Sequence, residues 1–485
     1  MFSKMQMIHD FEATKTIPDL AERNTRRNAL LDQIYDFVQG VKGIAVDKLI
    51  SDIEHWGEVA SFLIVMLAKL NGVDCFEGSL LTDERLAQVL NITAHSSGYL
   101  RGVARKLVGS FIRDSDRVFN AEQKERIVLH LIGYSLDDKF GYGWVWEGLV
   151  RLCPLKEDAF VGSMVGQCVG DALGFIVEGQ RPDVCRRYIE EFVLKEDVPT
   201  WVRIQGLTFG QYSDDSQLAR ETYVTMVQAD GRMDPAVFGN RIGGLFQPGH
   251  YRIVGYGATT AKAGEALYMG KHYSKTGSKT TSGNGSAMRS VPVGLIMSQR
   301  PLEELKQVAR VFSSVTHASE ACMDGSVAMA VAGRICMATR GIVFDCARFL
   351  TGVAAHVSDE GYKAEILRLL HFTSDDQAKA HVIDYGKRMG EDQWSDGVSP
   401  GVRQSTLWAL YSFCKYPGDF TKCIAMAISC GGDVDTTAAM AGALSGARLG
   451  FEAVPKVWRD TIHDLNVWKL KDVCELVKEV FTMVK

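Results

Sequence analysis

Gly431–Thr437, GGDVDTT, stands directly before AAMAGALSGARLG, a run of alanine and glycine that reads as helix. Two carboxylates one residue apart are followed at once by two hydroxyls. In a non-helical turn Asp433 and Asp435 can converge on one point, where like charges repel by several kcal/mol in a low dielectric. A cation resolves that conflict. Hard divalent ions such as Mg2+ or Mn2+ take carboxylate and hydroxyl oxygens, and Thr436 adds one where the helix begins. An N-cap accounts for one Asp or Thr in such a place. Two aspartates and a threonine after Gly-Gly favour a metal.

The helix that follows repeats small residues every fourth position, at Ala438, Gly442, Gly446 and Gly450, and an earlier segment does the same at Gly162, Gly166, Gly170 and Gly174. Each helix therefore has a face almost without side chains, and two such backbones can approach closely. Small-xxx-small spacing also occurs in membrane helices, but Asp171, Arg448 and the short apolar lengths point to a tightly packed soluble core.

The 485 residues are 46% hydrophobic and 23% charged, enough for a large core and two to three domains of ordinary size. Lys plus Arg number 54 against 59 acidic residues, for a formal charge of −5, so no nucleic-acid surface is expected. The 11 cysteines contain no CxxC pair, which argues against a disulfide framework or four-thiolate zinc site and suits a reducing cytoplasm. MFSKMQMIHDFEATK has no apolar leader core, and Phe62–Ala68 is too short to cross a bilayer, so neither export nor a membrane span is expected. The sequon Asn91-Ile92-Thr93 is then a chance match.

With 11 prolines, and apolar residues at three- and four-residue spacing in LLDQIYDFVQGV, EEFVLKE and LWALYSFCKY, a mostly helical protein is expected. Residues 1–150 are rich in charged helical patterns, whereas glycine, alanine and polar motifs crowd together from Phe160 onward. The boundary is placed in RLCPLKED, Arg151–Asp158, giving an N-terminal helical accessory or interaction region and a domain over 151–485. Residues 1–20 show no clear helical period and are expected to form an ordered arm or a flexible tail.

A dinuclear site needs a second acidic pair. Tyr212–Gln217, YSDDSQ, offers Ser213, Asp214 and Asp215 before the helical segment LARETYVTMV. TSDDQ at 373–377 and YSLDDKF at 134–140 have nearly the same letters and are readable as N-caps. Glu178 is seven residues after Asp171, two turns on if the helix persists, and could project toward the metals as acid or base. SGNGS at 282–286 suits a diphosphate, because glycines let backbone N–H groups approach and MRSVPVGL could present a helix N-terminus; it is also an ordinary turn.

Taken in order, FVGSMVGQCVGDALGFIVE at 160–178, YSDDSQ, GHYRIVGYGATT at 249–260, SGNGSAMRSVPVG at 282–294, THASEACMDGSVAMA at 316–330 and GGDVDTTAAMAGALSGARLG resemble the motifs of the ADP-ribosylglycohydrolase family. That family includes the glycohydrolase that reactivates dinitrogenase reductase and the animal ADP-ribosyl-acceptor hydrolases. The resemblance covers roughly 158–455 and sets 374–376 aside. It implies an all-α fold, an ADP-ribosylglycohydrolase-type helical domain with a dinuclear Mg2+ or Mn2+ centre, preceded here by the helical N-terminal region. By the same resemblance Ser213, Asp214, Asp215, Asp433, Asp435 and Thr436 are the metal ligands, and Glu178 and Asp214 the catalytic carboxylates. Gly255, Tyr256, Gly257, Gly283, Asn284, Gly285 and Ser286 would touch ADP-ribose, with His317 nearby, although a lone histidine is more often a satisfied core residue. Arg289 is expected to pair with the acidic centre.

The resemblance implies a hydrolase that frees ADP-ribose from a modified protein. SDDSQ and GNGSAMR look closer to the arginine-directed branch than to the serine-directed one. Chains of this plan also resemble bacterial immunity proteins against ADP-ribosyltransferase toxins, which makes a cognate toxin the expected partner. Steric blockade of that toxin through residues 1–150 is the alternative reading, and so is a plain accessory domain.

Overall fold

The computed structural model describes Glu22, residues 155–199, 208–248, 253–341, 344–391, Trp394 and 397–484. Apart from Glu22, these lie in one compact unit, Pro154–Lys485 with Ser135–Asp137. The expected N-terminal helical region, its arm at 1–20 and the YSLDDKF motif lie outside the described residues, Glu22 excepted.

The described residues form sixteen α-helices: α1 Glu157–Phe175, α2 Pro182–Glu191, α3 Asp214–Gln228, α4 Pro235–Leu245, α5 Ala258–Tyr268, α6 Val291–Ile296, α7 Leu302–Ser314, α8 Glu320–Ala338, α9 Cys346–Ala354, α10 Glu360–Arg368, α11 Asp375–Arg388, α12 Val402–Lys415, α13 Phe420–Ile428, α14 Val434–Leu449, α15 Lys456–Arg459 and α16 Leu470–Val484. Their only sheet pairs His463–Asp464 with Trp468–Lys469, antiparallel. The all-α expectation holds.

At the centre α1 and α14 run antiparallel, buried on every side from Ala159 to Phe175 and from Val434 to Arg448. The glycine spine explains their approach. A Cβ on Gly166 would stand 2.4 Å from the Gly442 carbonyl oxygen, one on Gly170 2.1 Å from that of Ala438, and one on Gly174 2.4 Å from that of Val434. Backbone packs on backbone along the whole pair, so neither helix can slide. Asp158 accepts from the Phe451 N–H and pairs with Arg340 at the far end. Arg448 donates to the Thr339 carbonyl at 2.7 Å and lies over Phe344, two contacts that offset the cost of burying its charge.

Outer helices carry one apolar stripe instead. In α16 the buried set is Val473, Leu476, Val477, Val480 and Phe481, at helical spacing, and Phe481 meets Phe160 edge-on at 5.4 Å. EEFVLKE, read as helix, spans the end of α2 and a 3-10 turn, Val193–Lys195. α8 is long and apolar enough to cross a membrane by composition, and most of it is buried inside the unit against α6, α7 and α12.

Candidate metal centre

The first acidic motif begins α3. Ser213 caps the helix, its Oγ accepting from the Asp215 N–H at 3.2 Å, and the same hydroxyl donates to Asp215 Oδ2 at 3.1 Å. Two residues of α1 grip this turn. Asp171 accepts from the N–H groups of Ser213 and Ser216 at 2.8 and 3.0 Å, and Gln167 Nε2 donates to the Asp215 carbonyl at 3.0 Å. The Asp214 N–H is taken by the Val254 carbonyl at 2.7 Å. Underneath, Gln217 and Arg220 bond Asp464 of the hairpin at 2.7 and 2.8 Å.

The second motif begins α14, and its two glycines have a steric reason. Gly431 and Gly432 adopt φ +70° and +81°, where a side chain is strained, and a Cβ on Gly432 would meet the Val398 oxygen at 2.1 Å. The turn is held by Gly432 N–H to the Gln180 carbonyl and Gly179 N–H to the Gly432 carbonyl, at 2.9 and 2.8 Å. Those two bonds carry Glu178 alongside Asp433. The helix does not persist to Glu178 as anticipated: α1 ends at Phe175, and Glu178 lies in the turn beyond it, placed by the Gly431–Gly432 loop. Asp433 occupies the N-cap position yet makes no side-chain cap bond; its Oδ2 accepts from Asn284 Nδ2 at 2.6 Å. Capping therefore does not explain it.

The two motifs meet. Thr436 Oγ1 donates to Asp215 Oδ2 at 3.3 Å, and one carboxylate oxygen each of Glu178, Asp433 and Asp435 lie within 4.8 Å of one another. Asp215 Oδ1 and Asp435 Oδ1 are buried without any hydrogen-bond partner. Burial pushes Asp171 and Asp433 up to about 6. Burial, then Asp433 and Asp171, push Glu178 up to about 7, while Asp214, Asp215 and Asp435 rise well above the ordinary carboxylate range for the same reasons. Six carboxylates packed this way are unfavourable as anions unless a cation joins them. Carboxylate and hydroxyl oxygens around two orphaned atoms fit hard divalent ions.

Arg289 acts on the acidic centre through space, it and Asp214 each favouring the other's charged form, without a contact ion pair. It is buried, its guanidinium donates to the carbonyls of Gly285 and Phe312 and to Thr316 Oγ1, and burial lowers its pKa to about 10. Its donors thus go to carbonyl and hydroxyl oxygens, while its charge is felt by Asp214.

Of the residues expected around a ligand, Gly255 lies against the first motif: a Cβ there would touch Ser213 Cβ at 3.2 Å, and its φ is +85°. Tyr256 is 43% exposed and edge-on to Phe246, and Gly257 caps α5 from an exposed position. In the SGNGS loop two of the backbone donors have partners within the unit. The N–H of Gly283 goes to Thr281 Oγ1 at 3.2 Å and that of Asn284 to the Pro400 carbonyl at 2.9 Å. No long helix starts there; Ala287–Arg289 is a 3-10 turn and α6 has six residues, buried against α8. The Ser286 hydroxyl is buried among Ser313, Ser326 and the Cys322 carbonyl. His317 packs under Gly285, where a Cβ would stand 2.7 Å from its Cε1, and bonds Thr316. Burial and then Arg289 lower its pKa to about 3, leaving it neutral.

A match to the ADP-ribosylglycohydrolase family model runs over residues 153–484. The chain belongs to that family. An uncharacterised protein of Archaeoglobus fulgidus is 30% identical over 316 residues, covering 64% of this chain and 92% of the relative. ADP-ribosylhydrolase ARH3 of Homo sapiens is 24% identical over 331 residues, 62% of this chain and 88% of that protein. ADP-ribosylarginine hydrolase Tri1 of Pseudomonas putida is 24% identical over 350 residues, 70% and 82% respectively. The family's domain therefore occupies residues 153–484 of this chain. Asp171 and Gln167 were not among the expected site residues; the one signal was Asp171, a lone charge in a helix otherwise uncharged beyond its first turn.

Proposed function

We propose that this chain is a hydrolase dependent on two Mg2+ or Mn2+ ions that removes ADP-ribose from modified protein side chains, with arginine as the acceptor. The observation carrying this reading is the meeting of Ser213–Asp215 with Asp433–Thr436 around two buried, unpartnered carboxylate oxygens. Breaking a ribosyl C1–nitrogen bond passes through an oxocarbenium-like state, which needs the sugar steadied, a water activated and a leaving group protonated. Bound divalent cations supply Lewis-acid charge stabilisation. Ser213, Asp214, Asp215, Asp433, Asp435 and Thr436 would hold them, with Asn284 orienting Asp433 through its 2.6 Å bond. Glu178 lies half-buried at the edge of the cluster, and its carboxyl is the group that moves a proton between solvent and the reacting atoms.

The arginine preference is supported by the wording of SDDSQ and GNGSAMR and by a relative named as an ADP-ribosylarginine hydrolase. Within this reading residues 1–150 serve a cytoplasmic immunity role, engaging an ADP-ribosyltransferase toxin whose mark the domain erases. The test is to incubate the pure protein with arginine- and serine-ADP-ribosylated proteins, with Mg2+, Mn2+ or chelator. Release from arginine that chelator stops is expected. Release from neither substrate in either metal sinks the proposal, and release from serine alone overturns the acceptor.

A further inference from the structure

We infer that Asp171 is a positioning residue that fixes the first acidic motif against the second and thereby sets the affinity of the centre for divalent cations. The inference rests on the centre binding such ions, as proposed above. The helix α1 touches both motifs, on two different faces. Gly170 and Gly174 press on α14, where a Cβ would meet Ala438 O at 2.1 Å and Asp435 Cα at 2.5 Å. Asp171, about 100° further round the helix from Gly170, faces α3 instead. Its two oxygens are each committed to an N–H of the first turn, those of Ser213 and Ser216, and it is 0% exposed, so no water substitutes for it. Gln167, one turn back on the same face, bonds the Asp215 carbonyl. α1 thus works as a ruler between the motifs. The glycine contacts give it no play on the α14 side, and on the α3 side its hold depends on Asp171, an anion at a helix N-terminus that satisfies two otherwise orphaned donors.

Both Asp171 oxygens being taken by amides, it touches no reacting atom, and its effect passes through Ser213–Asp215. Changes in such outer partners shift metal affinity about 10–100-fold. The test uses the full chain with Asp171→Asn, isosteric but offering a donor to one N–H, and Asp171→Glu, which keeps the charge and moves it by one methylene. Ser163→Ala, which removes a bond from the same helix to the Ala443 carbonyl away from the centre, is the stability control. Mn2+ affinity by calorimetry, amide exchange over residues 208–218 in chelator, Tm, and kcat against KM are measured. Expected are Mn2+ binding weaker by about 10–100-fold in both Asp171 variants, faster exchange over 208–218 and a loss in kcat greater than any rise in KM. Ser163→Ala should lower Tm alone. If either Asp171 variant folds and binds Mn2+ like the wild type, Asp171 is only a structural cap and the inference falls by itself. If the wild type binds no Mn2+, this inference and the proposed function fall together.

Discussion

Two stretches of this molecule are spelled almost alike. SDDSQ at 213–217 and SDDQ at 374–377 each begin a helix, each with a serine cap: Ser213 accepts from the Asp215 N–H at 3.2 Å and Ser374 from that of Gln377 at 3.3 Å. Beyond the cap they diverge. Asp375 receives Tyr411 Oη at 2.7 Å and pairs with Lys415 at 3.0 Å, and the Asp376 side chain is 89% exposed beside Lys379. Asp214 and Asp215 are buried with no lysine in contact, and one Asp215 oxygen has no partner at all. The same letters make a solvated helix start in one place and a cation-seeking centre in the other. The difference comes from Asp171, Val254 and Thr436, residues brought from elsewhere in the chain.

That contrast can be broken outright. Asp214→Ala with Asp433→Ala should lower ADP-ribose release about a thousandfold or more, since several kcal/mol of transition-state stabilisation go with the cations. Asp375→Ala with Asp376→Ala should leave turnover within about twofold. Comparable losses from both pairs would show that burial does not separate them.

The next effect lies in the spine that brings the first motif to the second. Alanine for an exposed helical glycine gains up to about 1 kcal/mol, but at Gly170 the new methyl would stand 2.1 Å from a backbone oxygen that cannot rotate away. Gly170→Ala should therefore destabilise by about 1–3 kcal/mol or more, read as Cm in urea, and weaken Mn2+ binding. A rise in stability would mean the helices have slack.

The motifs should also respond to pH with opposite sign. In chelator Asp171, Glu178 and Asp433 hold protons more tightly when folded, to about 6, 7 and 6, than their ordinary values of 3.8, 4.5 and 3.8. The native state then binds more protons than the unfolded one, so their contribution is full below about pH 4 and is lost as pH rises toward 7. Divalent cation should restore Tm at neutral pH. For Asp375 partial burial works upward, but the Tyr411 and Lys415 hydrogen bonds outweigh it and hold its pKa low, so its smaller contribution is present above its ordinary value and lost on acidification. Tm from pH 4 to 8, in wild type and Asp375→Asn, separates the two.

The smallest difference is at the caps. Ser374→Ala should cost about 1 kcal/mol and nothing in activity, whereas Ser213→Ala should cost a similar amount and reduce cation affinity as well. Equal activity in both would deny Ser213 any role beyond capping.

The sequence alone determined the helical class, through apolar spacing, and a face on each of α1 and α14 open to close backbone approach, through a small residue at every fourth position; that the two faces meet each other came from the structure. It also singled out Asp433 and Asp435, since two carboxylates and a threonine after Gly-Gly exceed what one helix cap requires. Only the tertiary structure decided that Glu178 leaves the helix and is carried to Asp433 by the Gly431–Gly432 turn, that Arg289 spends its donors on carbonyl and hydroxyl oxygens, and that the Asn284 side chain serves Asp433 while the Gly283 and Asn284 N–H groups serve Thr281 and Pro400. Spacing along a chain fixes which residues share a face. What satisfies a buried donor or leaves an oxygen unpartnered depends on groups distant in sequence, and these come within bonding range only when the whole unit has packed.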